Sequence, residues 1–226
     1  MRMKKLLLFL LSVFLFAGCT IVKINTDDYI SNINTILSRK SNYTNRNAIG
    51  YQYYLPSSVV VTEVNDFNQT LYSKGDNYYL YVDLVSYYHK VDISYELNEE
   101  AYLSKGLAQN NKYGYVEVNK DKDYYFVEMM YNYAKIESYV KKGNLIDALN
   151  NMAYILSSVK FNDDIIESML GSEKYNLSEN ETYNIFETKK KVDDSFIKYN
   201  EEYGKYDGDD AVDLIEKKEI NQEKGN

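Results

Sequence analysis

The sequence predicts an α+β protein: an antiparallel β-sheet with flanking helices, followed by an acidic, partly helical or disordered C-terminal tail. Three observations predict it. Two stretches of alternating apolar residues are interrupted by turn-forming clusters, Lys74-Gly75-Asp76-Asn77 and Lys120-Asp121-Lys122-Asp123, each reading as a hairpin. Leu145, Leu149, Met152, Leu156 and Val159 recur at i, i+4, i+7, i+11 and i+14, which puts one apolar stripe on a helix. The charge balance then breaks at Asn162: residues 163–226 hold 18 acidic and 9 basic side chains, net −9, against −2 for residues 19–162.

Taken in order, the chain opens with a basic segment of Arg2, Lys4 and Lys5. An apolar run from Leu6 to Phe16 follows, broken only by Ser12, then the small pair Ala17-Gly18 and Cys19. That order is a secretory signal ending in a small-residue cleavage site. The run of about 11 apolar residues is too short to span a bilayer, which takes ~20. Leu15-Phe16-Ala17-Gly18-Cys19 resembles the lipobox of bacterial lipoproteins, with Phe16 where leucine is commonest. The resemblance implies a diacylglycerol thioether on Cys19, cleavage before it, and a protein held on the extracytoplasmic face of the cell membrane. Two acyl chains anchor stably where one does not. Residues 1–18 are then signal peptide and 19–26 a lipidated tether, leaving an α+β domain over 27–162 and an acidic extension over 163–226.

Thr26 or Asp27 caps a first helix, with Ile30, Ile33 and Leu37 on one side. From Gly50 the period becomes two. Gly50 to Leu55 reads as a strand stopped by Pro56, and Val59 to Val64 as a second. Phe67 to Ser73 and Tyr78 to Ser86 form the arms of the first hairpin, and apolar residues on both faces of the second arm predict a central strand. Asn98 to Leu107 is expected to be a short helix, with Asn98 as its cap. Tyr113 to Asn119 and Tyr124 to Tyr131 are the arms of the second hairpin. Ala134 to Val140 alternates as one more strand, and the helix of Asn144 to Ser158 opens on what resembles a capping box, Asn144 with Asp147. Phe161 is expected to be the last core residue. Residues 162–170 extend as a possible helix, and Val192, Phe196, Tyr199 and Tyr203 repeat with helical spacing inside the tail.

Composition excludes several classes. Cys19 is the single cysteine, so there is no intrachain disulfide and no thiolate metal cage. A net charge of −8 argues against nucleic acid as a partner and against polybasic attraction to anionic lipid. Twenty-six tyrosines, one proline and no tryptophan read as the codon bias of an AT-rich bacterial genome.

The Gly-x-x-x-x-Leu-Pro strand of Gly50 to Pro56, and the segment Ile155-Leu156-Ser157-Ser158-Val159-Lys160-Phe161, together resemble the Mog1/PsbP-like fold over roughly residues 48–162. An aromatic usual after the Leu-Pro is replaced by Ser57-Ser58. The resemblance implies an antiparallel sheet with packed helices, and a binding or assembly role more often than catalysis.

Candidate chemistry is sparse. His89 is the only histidine and is expected at a strand end on the surface, without the partners of a nucleophilic pair. Glu117 and Glu128 lie on the two arms of one hairpin and are expected to face each other; they suit carboxylate acid/base chemistry, or simply alternate outward between apolar neighbours. Asp207, Asp209 and Asp210 around Gly208 resemble a calcium loop only loosely, lacking the closing glutamate. Tyr79, Tyr81, Tyr87, Tyr88 and Tyr125 are candidates for an exposed aromatic surface fitted to an envelope protein, a peptide or a glycan. The expectation is a non-enzymatic binding or assembly lipoprotein without cofactor or metal, the alternative an envelope hydrolase using carboxylates.

Overall fold

The structure is a computed structural model that describes residues 26–39 and 43–170. Cys19, the signal segment and the tether to residue 25 lie outside these residues. So do Val192, Phe196, Tyr199 and Tyr203, and the Asp207, Asp209 and Asp210 run.

The α+β expectation holds. The elements are α1 (Thr26–Ser38), β1 (Arg46–Ala48), β2 (Tyr51–Tyr53), β3 (Val60–Asn65), β4 (Asn68–Ser73), β5 (Asp76–Val82) and α2 (Leu84–His89). They continue with β6 (Leu103–Gln109), β7 (Lys112–Asp121), β8 (Tyr124–Tyr131), β9 (Ala134–Lys141), α3 (Leu145–Ser157), β10 (Lys160–Phe161) and α4 (Asp163–Leu170). Seven strands form one antiparallel sheet in the order β3-β4-β5-β9-β8-β7-β6. A small second sheet has the order β1-β2-β10. There β2 pairs with β10, Tyr51 opposite Phe161 and Gln52 opposite Lys160.

The sheet has two different faces, and strand alternation decides which residue goes to which. Val116, Val118, Val127, Met129, Ile136 and Val140 point to the side covered by α3, and α1 packs on α3 and against β6. This is the main core, and it draws Ile33, Leu37, Leu149, Met152 and Leu156 from the two helices. Burial of that stripe is what holds α3, because a 13-residue helix is marginal alone in water. The opposite face carries Tyr115, Glu117, Phe126, Glu128, Met130, Lys135 and Glu137, and residues 91–98 cross it without regular structure.

Four local expectations are corrected. The strand expected to run to Ser86 stops at Val82. Asp83 Oδ1 accepts from the Ser86 amide at 2.8 Å and caps α2, which Lys90 ends at φ 53°. The helix expected over Asn98 to Leu107 is absent, and Leu103–Gln109 is instead β6. Gly106 weakens a helix there, and pairing with β7 satisfies the backbone while Leu103 and Leu107 reach the core. The capping box at Asn144 does not form: its Nδ2 donates to Asp76 Oδ2 at 2.7 Å, and Asp147 pairs with Lys74. The core also does not end at Phe161, since Ile166 of α4 is fully buried. Tyr87 of α2 stacks on Phe161 at 3.8 Å and donates its hydroxyl to Asp163, which fastens α4 to the domain.

Candidate functional site

Glu117 on β7 and Glu128 on β8 are directly opposite each other in the ladder, as expected from their hairpin. The row continues, because Glu137 on β9 is directly opposite Glu128. Like charges opposite each other across strands repel, yet all three side chains are 0 % exposed. The outward-facing alternative therefore fails: these glutamates face away from the main core but not into water.

Two devices offset the repulsion. Lys135, two residues before Glu137 and so on the same face, places Nζ 2.7 Å from Glu128 Oε1 and 2.9 Å from Glu137 Oε1, itself fully buried. The other device is a set of neutral donors around Glu117. Tyr95 donates its hydroxyl to Oε2 at 2.7 Å, and the side-chain amides of Asn98 and Asn119 donate to Oε1 at 2.9 Å each. Charge-assisted bonds of this kind are about twice as strong as neutral ones.

Tyr95 and Asn98 belong to the segment that seals the face. Ile93 and Tyr95 turn inward while Ser94 and Glu96 turn outward. The Tyr95 ring lies flat on Tyr115, 4.5 Å between centroids and 8° between planes. Tyr115, Met130 and Tyr81, in the row of the sheet face that also holds Lys135, form a second, small apolar cluster with Ile93 and Tyr95 beside the carboxylates. The Asn98 amide and Tyr95 hydroxyl both meet Ser104 Oγ, at 2.8 and 2.7 Å, so β6 closes the network. Burial holds the Tyr115 phenol well above its ordinary range, the Lys135 ammonium pulling the other way. The Tyr95 phenol is raised too, by burial first and also by its bond to Glu117. A phenol held protonated is a donor, and the chain Ser104-Tyr95-Glu117 fastens the segment to the sheet.

The five candidate tyrosines do not converge. Tyr79 and Tyr81 lie on the outer sheet face, half-buried, Tyr81 beneath the 91–98 segment. Tyr87 and Tyr88 lie on α2; Tyr87 is committed to Phe161 and Asp163, and Tyr88 is exposed. Tyr125 is corrected to the core, 6 % exposed and 5.0 Å from the Tyr102 ring, because its strand parity matches Val127 and Met129. His89 is exposed, at the end of a helix and not of a strand, edge-on to Tyr88 at 5.2 Å.

Sequence reasoning missed the open half of the outer sheet face. Val60, Tyr72 and Tyr124 are 52, 42 and 41 % exposed there, with Tyr79 and Tyr139 half-buried between them. Val60 is directly opposite Tyr72, and Tyr139 directly opposite Phe126. The alternation of Val91, Ile93, Tyr95 and Leu97 was the signal available for the sealing segment.

Among the described residues, no group of three or more His, Cys, Asp or Glu side chains is placed to hold a metal ion. No described helix is long and apolar enough to cross a membrane. A scan against protein-family models finds no match, and a search of curated proteins finds none either.

Proposed function

We propose that this chain is a lipid-anchored, non-enzymatic binding or assembly module of a bacterial cell envelope, held by Cys19 to the extracytoplasmic face of the membrane. The observation that carries the reading is the difference between the two halves of the outer sheet face. The half with carboxylates is sealed: Glu117, Glu128 and Glu137 are at 0 % exposure, and Tyr95 of the covering segment bonds Glu117. Acid/base work needs reach to a substrate proton, so the carboxylate hydrolase is the weaker reading. The half with tyrosines is open, with Val60, Tyr72 and Tyr124 exposed. Tyrosine offers a large apolar body, a polar tip and little entropy to lose, which suits protein, peptide and glycan ligands alike.

The Mog1/PsbP-like identity belongs to the same proposal. It is supported by the pairing of the two segments that carry the resemblance: Tyr51 and Gln52 of the Leu-Pro strand lie opposite Phe161 and Lys160. Lipidation rests on Cys19 following Ala17-Gly18 and on its being the single cysteine.

Photo-cross-linking in cells tests the binding face. A cross-linking amino acid at Tyr72 is expected to give discrete adducts, and one at Ile146, exposed on α3, is not. Equal adducts at both positions, or none at Tyr72, reject the face. Metabolic labelling with a fatty-acid analogue tests the anchor: Cys19→Ser is expected to lose the label, and equal label in both chains rejects lipidation.

A further inference from the structure

The tether is short relative to the domain, and the end of the domain where it enters is not a neutral surface. From Cys19 to Thr26 the chain spans seven residues and reaches at most ~25 Å. A compact domain of the size of residues 26–170 is about 38 Å across, from the usual scaling of radius of gyration with length. A seven-residue tether cannot run around the domain, so the end that bears Thr26 stays within ~25 Å of the bilayer.

At that end α1 and the segment leading into β6 enclose an open groove of about 400 Å³, whose lining includes Thr26, Ile30, Leu97, Ala101 and Tyr102. Leu97 is 62 % exposed, and Tyr102, whose ring rests on Tyr125, leaves 37 % of its surface open at the same groove. Exposed leucine next to an amphipathic aromatic is the composition of a membrane-interface contact. The rim is acidic by a small margin: Asp27 in the first turn of α1 and Glu99 opposite, against Lys105 among the described lining residues. Such a rim is repelled by anionic headgroups and attracted to ammonium-bearing ones.

We infer that this end of the domain is a membrane-contact surface, with Leu97 and Tyr102 entering the interfacial layer of a bilayer rich in zwitterionic, ammonium-bearing lipid. The acidic rim lies among the headgroups there. The inference rests on the anchor at Cys19 and adds the orientation: β6 is proximal to the membrane and β3, at the other edge of the sheet, distal. Six strand spacings of about 4.8 Å set the two edges on the order of 30 Å apart. The open tyrosine face then runs away from the membrane, toward the rest of the envelope.

The test uses the mature chain, residues 19–226, coupled through Cys19, its single thiol, to a maleimide phospholipid in phosphatidylcholine–phosphatidylethanolamine vesicles. The chain has no tryptophan, so one introduced at Leu97 or at Val64 of β3 is a unique fluorophore at an exposed position. With brominated acyl chains, Leu97→Trp is expected to lose at least half its emission and Val64→Trp less than a tenth. Equal quenching at the two sites, or none at Leu97 while flotation shows the protein on vesicles, overturns the inference. Exchanging the zwitterionic lipid for phosphatidylglycerol is expected to reduce quenching at Leu97 at low salt; unchanged or stronger quenching overturns the headgroup class. Failure of natural lipidation shows separately, as missing fatty-acid label on Cys19, and leaves this measurement intact.

Discussion

Lys135 Nζ stands 2.7 Å from Glu128 Oε1, and neither side chain has any exposed surface. The pair is the pivot of a row of three carboxylates, Glu117, Glu128 and Glu137, on adjacent strands. Removing the ammonium leaves buried carboxylates facing one another, which is far worse than never having built the pair. Lys135→Met is therefore expected to destabilise the domain by about 3–5 kcal/mol. Urea unfolding followed by circular dichroism measures this. A loss below about 1 kcal/mol shows that water reaches the row.

Gly114 and Gly106 make a matched pair for packing. A Cβ on Gly114 runs into the Met130 carbonyl oxygen and lies 2.7 Å from its carbonyl carbon, whereas one on Gly106 meets nothing within 4 Å. The obstacle at Gly114 is backbone and cannot turn aside, so β7 and β8 must part. Gly114→Ala is expected to cost about 3 kcal/mol or more, and Gly106→Ala to change stability by about 1 kcal/mol at most in either direction. Comparable thermal midpoints for the two variants contradict the close strand approach.

The C-terminal boundary gives a third expectation. A chain ending at Leu170 is expected to keep the thermal midpoint of the longer one, whereas a chain ending at Asn162 loses the buried Ile166 and the Tyr87 hydroxyl's acceptor, Asp163. Burial of one isoleucine side chain contributes about 1.5–3 kcal/mol, so the shorter chain should melt several degrees lower. Identical midpoints for the two truncations place α4 outside the cooperative unit.

Alkaline unfolding follows from the buried phenols. Burial raises Tyr53 and Tyr131 to about 12 from an ordinary value of 10.0, and pushes up Tyr51 and Tyr115 in the same direction. A group whose folded pKa is raised holds its proton longer in the native state, so the unfolded chain ionises first. Its contribution is complete below pH ~10 and is lost as pH rises from there toward ~12. Stability to urea is expected to be flat with respect to these tyrosines at neutral pH and to fall steeply above pH ~10. Exposed tyrosines ionise first, and the remaining, buried share of the tyrosinate absorbance should rise in step with loss of secondary structure. Full tyrosinate absorbance from a chain still folded at pH 11 removes the linkage.

Much of the architecture was legible in the sequence because its causes are local. The glycine turn at Lys74-Gly75, with both residues at positive φ, fixes the β4–β5 hairpin within a few residues. The apolar stripe of α3 identifies itself by its period, and eight of its thirteen residues are buried as that stripe requires. The same alternation set Glu117 opposite Glu128. Local signals misled where two readings were locally similar: Asn98 makes an Asx turn to the Glu100 amide and a bond to Glu117 in place of a helix cap.

The sequence alone determined the two hairpins, the strand β9, the two longest helices and the parity that sets Glu117 and Glu128 on one face, since turns, periods and pairing are properties of neighbouring residues. Only the tertiary structure decided whether that face meets water. Tyr95 reaches Glu117 from 22 positions away, and Lys135 reaches Glu128 from the next strand. Alternation says which residues share a face and carries no information about what covers it. A buried charge is tolerable only where partners from elsewhere in the chain arrive together, and that arrival is a property of the folded whole.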